Sequence, residues 1–268
     1  FVFDTPTEIS NKGRYALHFD AALLAKYLKE TARERGITFI DAILEDVILS
    51  ENEHISELRL STGQIIAPKF VFDCSGFRRL IIGNKLKAEW VSYTDLLKTN
   101  KALPFFMPHN NDTRPVTTAI AMKHGWVWQI PVQDRYGCGY VFDRTKVTVE
   151  EAKKEVEDYF GISIACPKTF DYSPGGYKTP LVNNCLALGL AHSFLEPMEA
   201  TSIMNTIVML DYFLQNDGLN CNLTVFKNEF NERVARWTDE FRDFIALHYK
   251  TDRKDTLFWE EVSSIPIP

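Results

Sequence analysis

No apolar run in the 268 residues approaches the roughly 20 needed to cross a bilayer, and the first residues lack a basic stretch followed by an apolar one. Neither a membrane span nor a secretory leader is therefore expected. Clustered positive charge is missing as well: the net charge is -6 with Lys and Arg dispersed, which speaks against a nucleic-acid surface and against a membrane-holding patch. The five cysteines, Cys74, Cys138, Cys166, Cys185 and Cys221, are odd in number, widely spaced and without a C-x-x-C. That pattern fits reduced thiols in a cytoplasmic protein, with no disulfide framework and no zinc set. Internal repeats and low-complexity segments are absent too. With 45% hydrophobic residues and 13 glycines, the chain can bury a sizeable core, as one large domain or two small ones, and small-molecule work is the expected business. It begins at Phe1, without methionine, and reads as a piece of a longer protein.

Asp20 to Arg35 reads as a helix, because Leu23, Leu24, Tyr27, Leu28 and Ala32 recur at helical spacing, with Asp20 as N-cap and Gly36 as stop. The period then changes: 37–48, 55–60 and 65–72 alternate or run apolar between polar turns, predicting a meander of three strands. The third ends in Asp73-Cys74-Ser75-Gly76, where glycine lets backbone come close to a ligand. Residues 104–115 are turn-rich and read as a connection to a second sheet. Residues 149–160, 203–215 and 223–249 carry helical spacing; 169–179 should be strand and turn, leading into 181–189. The segment from Phe226 to Trp237 is most simply a packed helical face. Three parts follow, intertwined as one unit: 1–100, whose helix, meander and Asp73–Gly76 turn resemble the nucleotide-binding half of flavoproteins; 101–183, a second sheet; and 184–268, a glycine turn with C-terminal helices.

Two stretches carry chemistry. In Trp126-Val127-Trp128-Gln129-Ile130-Pro131, two tryptophans at i and i+2 share one face of a strand that proline closes. They are either an ordinary core pair or a wall. The second stretch runs from an apolar strand through Gly189-Leu190-Ala191 to Phe194-Leu195-Glu196-Pro197-Met198-Glu199-Ala200-Thr201-Ser202-Ile203 and a helix. Unpaired amides at a helix start favour anions, so Thr201 and Ser202 either hold one or simply cap the helix. Glu196 and Glu199 lie three residues apart in an apolar setting, so at least one should meet a partner or a ligand.

Together these motifs resemble the flavin-dependent tryptophan halogenases, whose signatures are W-x-W-x-I-P and F-x-E-P-L-E-S-T-G-I after a G-L-[AS] turn. The likeness extends to Tyr15-Ala16-Leu17-His18-Phe19-Asp20-Ala21, Phe72-Asp73-Cys74-Ser75-Gly76-Phe77, Arg242-Asp243-Phe244-Ile245 with His248-Tyr249, and Asp255-Thr256-Leu257-Phe258-Trp259. It implies an α/β fold with α+β character, like that of the two-domain FAD-dependent monooxygenases. By the same resemblance Glu199 is the catalytic carboxylate, Thr201 and Ser202 bind halide through their amides, and Leu44, Leu190 and Ile203 neighbour the flavin. Trp126 and Trp128 would then wall the flavin off from the substrate. No metal site is implied. Of the histidines, His18 and His248 are expected to cap or fill the core, and His192 to sit behind the residues of the cofactor turn.

The implied activity uses FADH2, oxygen and a halide co-substrate to halogenate a small aromatic compound, tryptophan or indole-like, with chloride and bromide both open. A separate flavin reductase would supply FADH2, and the resemblance leaves room for a homodimer. The family's N-terminal G-x-G-x-x-G and its lysine do not occur here. Ser202 stands where tryptophan-specific members usually carry glycine, and its Cβ would disfavour a positive φ. A flavin hydroxylase or reductase of the same fold would show an L-x-G-D-A-A-H type turn; Leu190 stands at the position of that aspartate and favours the halogenase. A non-catalytic binding module is the third alternative.

Overall fold

Asp20 caps the first helix, accepting from the amides of Ala22 and Leu23, and the helix α1 (Ala21–Glu34) ends at Arg35 before Gly36 turns the chain at φ 81°. The computed structural model describes residues 16–109, 114–165, 168–219 and 223–268; Tyr15, Cys166 and Cys221 lie outside the described residues. Three antiparallel strands follow, β1 (Leu44–Leu49), β2 (Ile55–Leu60) and β3 (Ile65–Ile66), in that order. The meander thus exists, with two corrections. Its first strand starts at Leu44 and not at 37, and the expected third strand is split at Pro68, whose missing N–H cannot serve a ladder. Past the split, β4 (Val71–Asp73) leaves the meander and pairs in parallel with β13 (Cys185–Ala187) of a different sheet. β12 (Leu181–Val182) completes that sheet on the far side of β13.

The second sheet has five strands, in the order β10 (Phe170–Asp171), β6 (Lys101–Met107), β9 (Tyr136–Phe142), β8 (Gly125–Pro131), β7 (Thr118–Ala121). The stretch from Pro104 expected as a connection is in part the strand β6. Proline is tolerated there because β10 pairs only with Lys101 and Ala102, which leaves Pro104 on an open edge. One face packs Leu103, Phe105, Val127, Tyr140 and Phe142 against α2 (Val149–Phe160), which a Thr148/Glu151 capping box starts and Gly161 ends. The other face carries Trp126 and Trp128. Gly139 is required beneath Trp128, since any Cβ there would run into the indole.

A small three-stranded sheet, β14 (Ser193–Phe194), β11 (Gly175–Tyr177) and β5 (Trp90–Ser92), joins the middle of the chain to its later turns. Helices α3 (Thr201–Gln215) and α4 (Leu223–Leu247) pack Met209, Phe213, Phe230 and Val234 over Leu181, Leu186 and Leu188. Two buried asparagines bind distant segments by imitating a backbone pair. Asn184 exchanges hydrogen bonds with Ile55 N and O at 2.8 and 3.0 Å, and Asn231 with Leu181 N and O at 2.9 and 3.0 Å. The short α5 (Leu257–Ser264) closes the chain, with Trp259 Nε1 donating to the Met122 carbonyl.

Asp73 ends β4 almost fully buried, and its carboxylate accepts from the amides of Ser75, Ile81 and Ile82 at 2.9, 3.1 and 2.8 Å. It therefore ties off the whole turn after the parallel strand. Asp73→Ala should lower stability by about 3 kcal/mol, because buried amides are left without acceptors. Equilibrium urea unfolding measures this, and a loss under about 1 kcal/mol would show that the turn holds itself.

Candidate functional site

The parallel strands β4 and β13 end side by side, each in a glycine turn. Leu188 N donates to Asp73 O at 3.0 Å, and the short 3-10 turns Gly76–Arg78 and Gly189–Ala191 lie against each other. Gly189 takes a left-handed φ of 57°. Carboxyl ends of parallel strands open the crevices in which α/β folds bind ligands. Phe77 meets Phe194 edge-on at 5.2 Å, and the chain then passes through Leu195 and Glu196 to the start of α3.

That helix start is strained and uncapped. Glu199 and Ala200 are consecutive non-glycine residues at positive φ, 60° and 50°, each costing of order 1–3 kcal/mol. Ala200 as N-cap offers no side-chain acceptor to the first amides of α3. Neither Thr201 nor Ser202 caps the helix, and Thr206 Oγ1 folds back onto Ser202 O. The Cβ penalty expected at Ser202 does not arise, because Ser202 is helical; the left-handed strain sits upstream at Glu199 and Ala200. The Glu199 side chain is 50% exposed, with His248 Nε2 3.5 Å from its Oε1. His248 Nδ1 is occupied by the Phe244 carbonyl at 3.0 Å, which fixes the ring.

Glu196 is the opposite case, with 1% of its surface exposed. Its Oε2 accepts from Thr99 Oγ1 at 2.9 Å, Trp126 Nε1 at 3.0 Å and Tyr249 Oη at 2.6 Å. Tyr172 Oη donates in turn to Thr99 Oγ1 at 2.9 Å, while Glu196 Oε1 has no partner among the described residues. Burial pushes the Glu196 carboxyl above the usual range, against the pull of Tyr249, Trp126 and Thr99. Burial, and then the Glu196 charge, raise Tyr172 and Tyr249.

The remaining expected site residues fall into two groups. Thr201 is buried at the first turn of α3, Ser202 is half-buried beside it, Leu190 is half-buried in the glycine turn, and Ile203 is exposed on α3. These stand together with Glu199. Leu44 is half-buried at the start of β1, beside a small hollow of about 220 Å³ that Asp46, Leu80 and Lys85 also line. Trp126 is 3% exposed and lies in the core with Tyr93, Leu96, Met198 and Tyr249, so its position is that of a core residue. Trp128 packs half-buried against the same cluster, its ring centroid 6.3 Å from that of Trp126. His18 is not a core residue: it bridges the Pro131 carbonyl and Thr117 Oγ1 at 3.1 Å each, near the surface. His248, expected as a cap or core residue, does cap the last turn of α4 through Nδ1 on the Phe244 carbonyl, and its Nε2 also faces Glu199. Sequence reasoning does not reach Thr99 and Tyr249 as partners of Glu196, or Tyr172 as the donor behind Thr99, since they stand 97, 53 and 24 residues from Glu196 in sequence. Among the described residues no group of three or more His, Cys, Asp or Glu is arranged to hold a metal.

His192 is buried in the glycine turn with Nε2 unpartnered among the described residues, and burial pushes its imidazole down from 6.5 to about 4, a Tyr177 backbone hydrogen bond working the other way. The unfolded chain thus binds this proton at a higher pH than the folded one. The stability His192 permits is complete above about pH 6.5 and is lost as pH falls toward 4, by about 3 kcal/mol in all. Urea unfolding of wild type and His192→Gln across that window should give a difference that shrinks with acid; parallel curves would clear His192.

Comparison with known proteins bears on this geometry directly. The family model for tryptophan halogenase matches residues 3–268. Tryptophan 7-halogenase RebH of Lentzea aerocolonigenes is 33% identical over 258 residues, covering 91% of this chain and 48% of its own. Among solved structures, the tryptophan 6-halogenase SttH of Streptomyces toxytricini superposes with a TM-score of 0.90 at 28% identity, covering 97% of this chain and 53% of that one. BrvH, a flavin-dependent halogenase from Brevundimonas sp. BAL3, gives 0.88 at 31% identity, covering 94% and 52%. The chain spans about half the length of the relatives it matches. Its mixed sheets and helices are those of the flavin-dependent halogenase fold, and the chain belongs to the tryptophan halogenase family.

Proposed function

We propose that this protein halogenates a small aromatic substrate, tryptophan or another indole, by electrophilic substitution, using FADH2, oxygen and halide, with FADH2 delivered by a separate reductase. The observation that carries the proposal is the start of α3, where the N-cap side chain makes no bond to the first amides and a half-exposed glutamate stands beside them, in a chain of this family. When bound, reduced FAD supplies with oxygen the oxidising power that makes halide electrophilic.

The residues present fit a halide and the apolar side of a flavin. Thr201 and Ser202 would hold the anion through amides that no side chain caps, aided by the positive end of a helix of 15 residues. Leu190, Ile203 and Leu44 would lie against the flavin, and the Trp126–Trp128 strand would contribute to the partition between flavin and substrate. Glu199 would stand at the substrate side. Electrophilic attack leaves a cationic ring carrying both hydrogen and halogen; a fixed carboxylate stabilises that charge and accepts the departing proton. His248 would hold Glu199 in direction, since its ring is itself fixed by Phe244 O.

In the full-length protein with FAD, NADH, a flavin reductase and bromide or chloride, mass spectrometry should find an aromatic substrate with one ring hydrogen replaced by halogen. Glu199→Gln should reduce kcat by about 10²–10⁴-fold with flavin binding retained. Unchanged turnover in that variant would remove Glu199 from the mechanism, and hydroxylated product without halide dependence would overturn the proposed activity.

A further inference from the structure

Glu196 is a costly residue to place where it is. A carboxylate sealed in an aromatic core is stabilised only by well-aimed donors, and an apolar residue of similar volume would fill the space at less cost. Three donors do converge on it, from the segment before β6, from the start of β8 and from just past the end of α4, yet all three meet a single oxygen. The arrangement joins elements that share no strand pairing and sets them around one point of the chain. That point lies three residues before Glu199.

The end of α4 completes the geometry. After Leu247 the chain tightens, with His248 N bonded to Ile245 O and Tyr249 N to Ala246 O, so that successive side chains leave on different sides. Tyr249 turns inward to Glu196 and His248 turns toward Glu199. One short segment thus touches both glutamates of the E-P-M-E turn, one in the core and one at the surface. Consecutive left-handed residues persist only where their surroundings over-determine them, and between Glu196 and α3 the turn has just Pro197 and Met198 before the strain begins.

We propose that Glu196 is a positioning residue: clasped by Tyr249, Trp126 and Thr99, it holds the strained Glu199–Ala200 turn in register with the tryptophan strand and the end of α4, and so aims the Glu199 carboxylate. The inference rests on the activity proposed above for Glu199, whereas the clasp itself is measurable without it. Misplacement by about 1 Å costs on the order of 100-fold in rate when reacting groups must meet at close range. Glu199 would act on the ring intermediate and not on substrate capture, so the loss falls on kcat.

Two variants test this. Tyr249→Phe deletes one hydroxyl from the clasp and keeps the ring; Glu196→Gln keeps the shape and removes the charge that the three donors share. In the full-length protein, hydrogen exchange followed by mass spectrometry should speed by about tenfold over residues 198–203 and stay unchanged over β9. With flavin reductase, NADH, FAD and bromide, kcat should fall by about 10–100-fold while KM for the aromatic substrate stays within about twofold. If Glu196→Gln does not fold, Tyr249→Phe decides alone. Unchanged exchange over 198–203 overturns the proposal, as does unchanged kcat in an active enzyme. A wild type that makes no halogenated product, yet loosens over 198–203 in either variant, removes the proposed activity and leaves the clasp standing.

Discussion

One buried carboxylate and the need to satisfy it organise this molecule more than any other single contact. Glu196 sits in the turn before α3, where the five-stranded sheet, the segment leading into β6 and the end of the long helix α4 come together, and Trp126, Thr99 and Tyr249 from those three each give it a donor. Around it the core is aromatic: Tyr93, Tyr172, Trp126, Tyr249, Phe258 and Trp259. Such a medium raises the cost of any unpaired polar atom and makes each of those hydrogen bonds directional. The backbone on either side of Glu196 has correspondingly little freedom, and the two left-handed residues that follow can be kept.

A second constraint acts through chain topology. β4 and β13 pair in parallel although more than a hundred residues separate them, and a parallel pair needs a crossover. The entire five-stranded sheet is built inside that crossover. Its consequence is that two glycine turns, Gly76–Arg78 and Gly189–Ala191, finish at the same end against each other, with the second also against α3. Asp73 from the first strand seals one turn, and His192, forced neutral by burial, packs the other. The two buried thiols contribute bulk: burial pushes Cys138 and Cys185 up to about 12.

Charge is handled differently inside and outside. At the surface, Glu199 is left half in solvent with a histidine beside it. In the interior, Glu196 has no such latitude. Two glutamates in one E-P-M-E run thereby take unlike parts, which their environments assign.

Local chemistry was legible from the sequence wherever it is local. The Asp20 cap, the helix at 149–160, the strand opening into the Gly189 turn, and the motifs that mark the family all follow from neighbours within a few residues, as does the suspicion that one of two close glutamates must be paired. Strand limits were less legible. Pro68 lies between two strands while Pro104 sits within one, and Pro104 is accommodated because β10 pairs only with Lys101 and Ala102 and leaves its N–H side an open edge. Tertiary structure alone decided which glutamate goes inside, that Trp126 spends its indole N–H on that glutamate, that His248 turns toward Glu199, and that the backbone strain lies at Glu199 and Ala200 and not at Ser202. The physical reason is the same in each case: the partners come from far along the chain, and packing determines which donor reaches which acceptor.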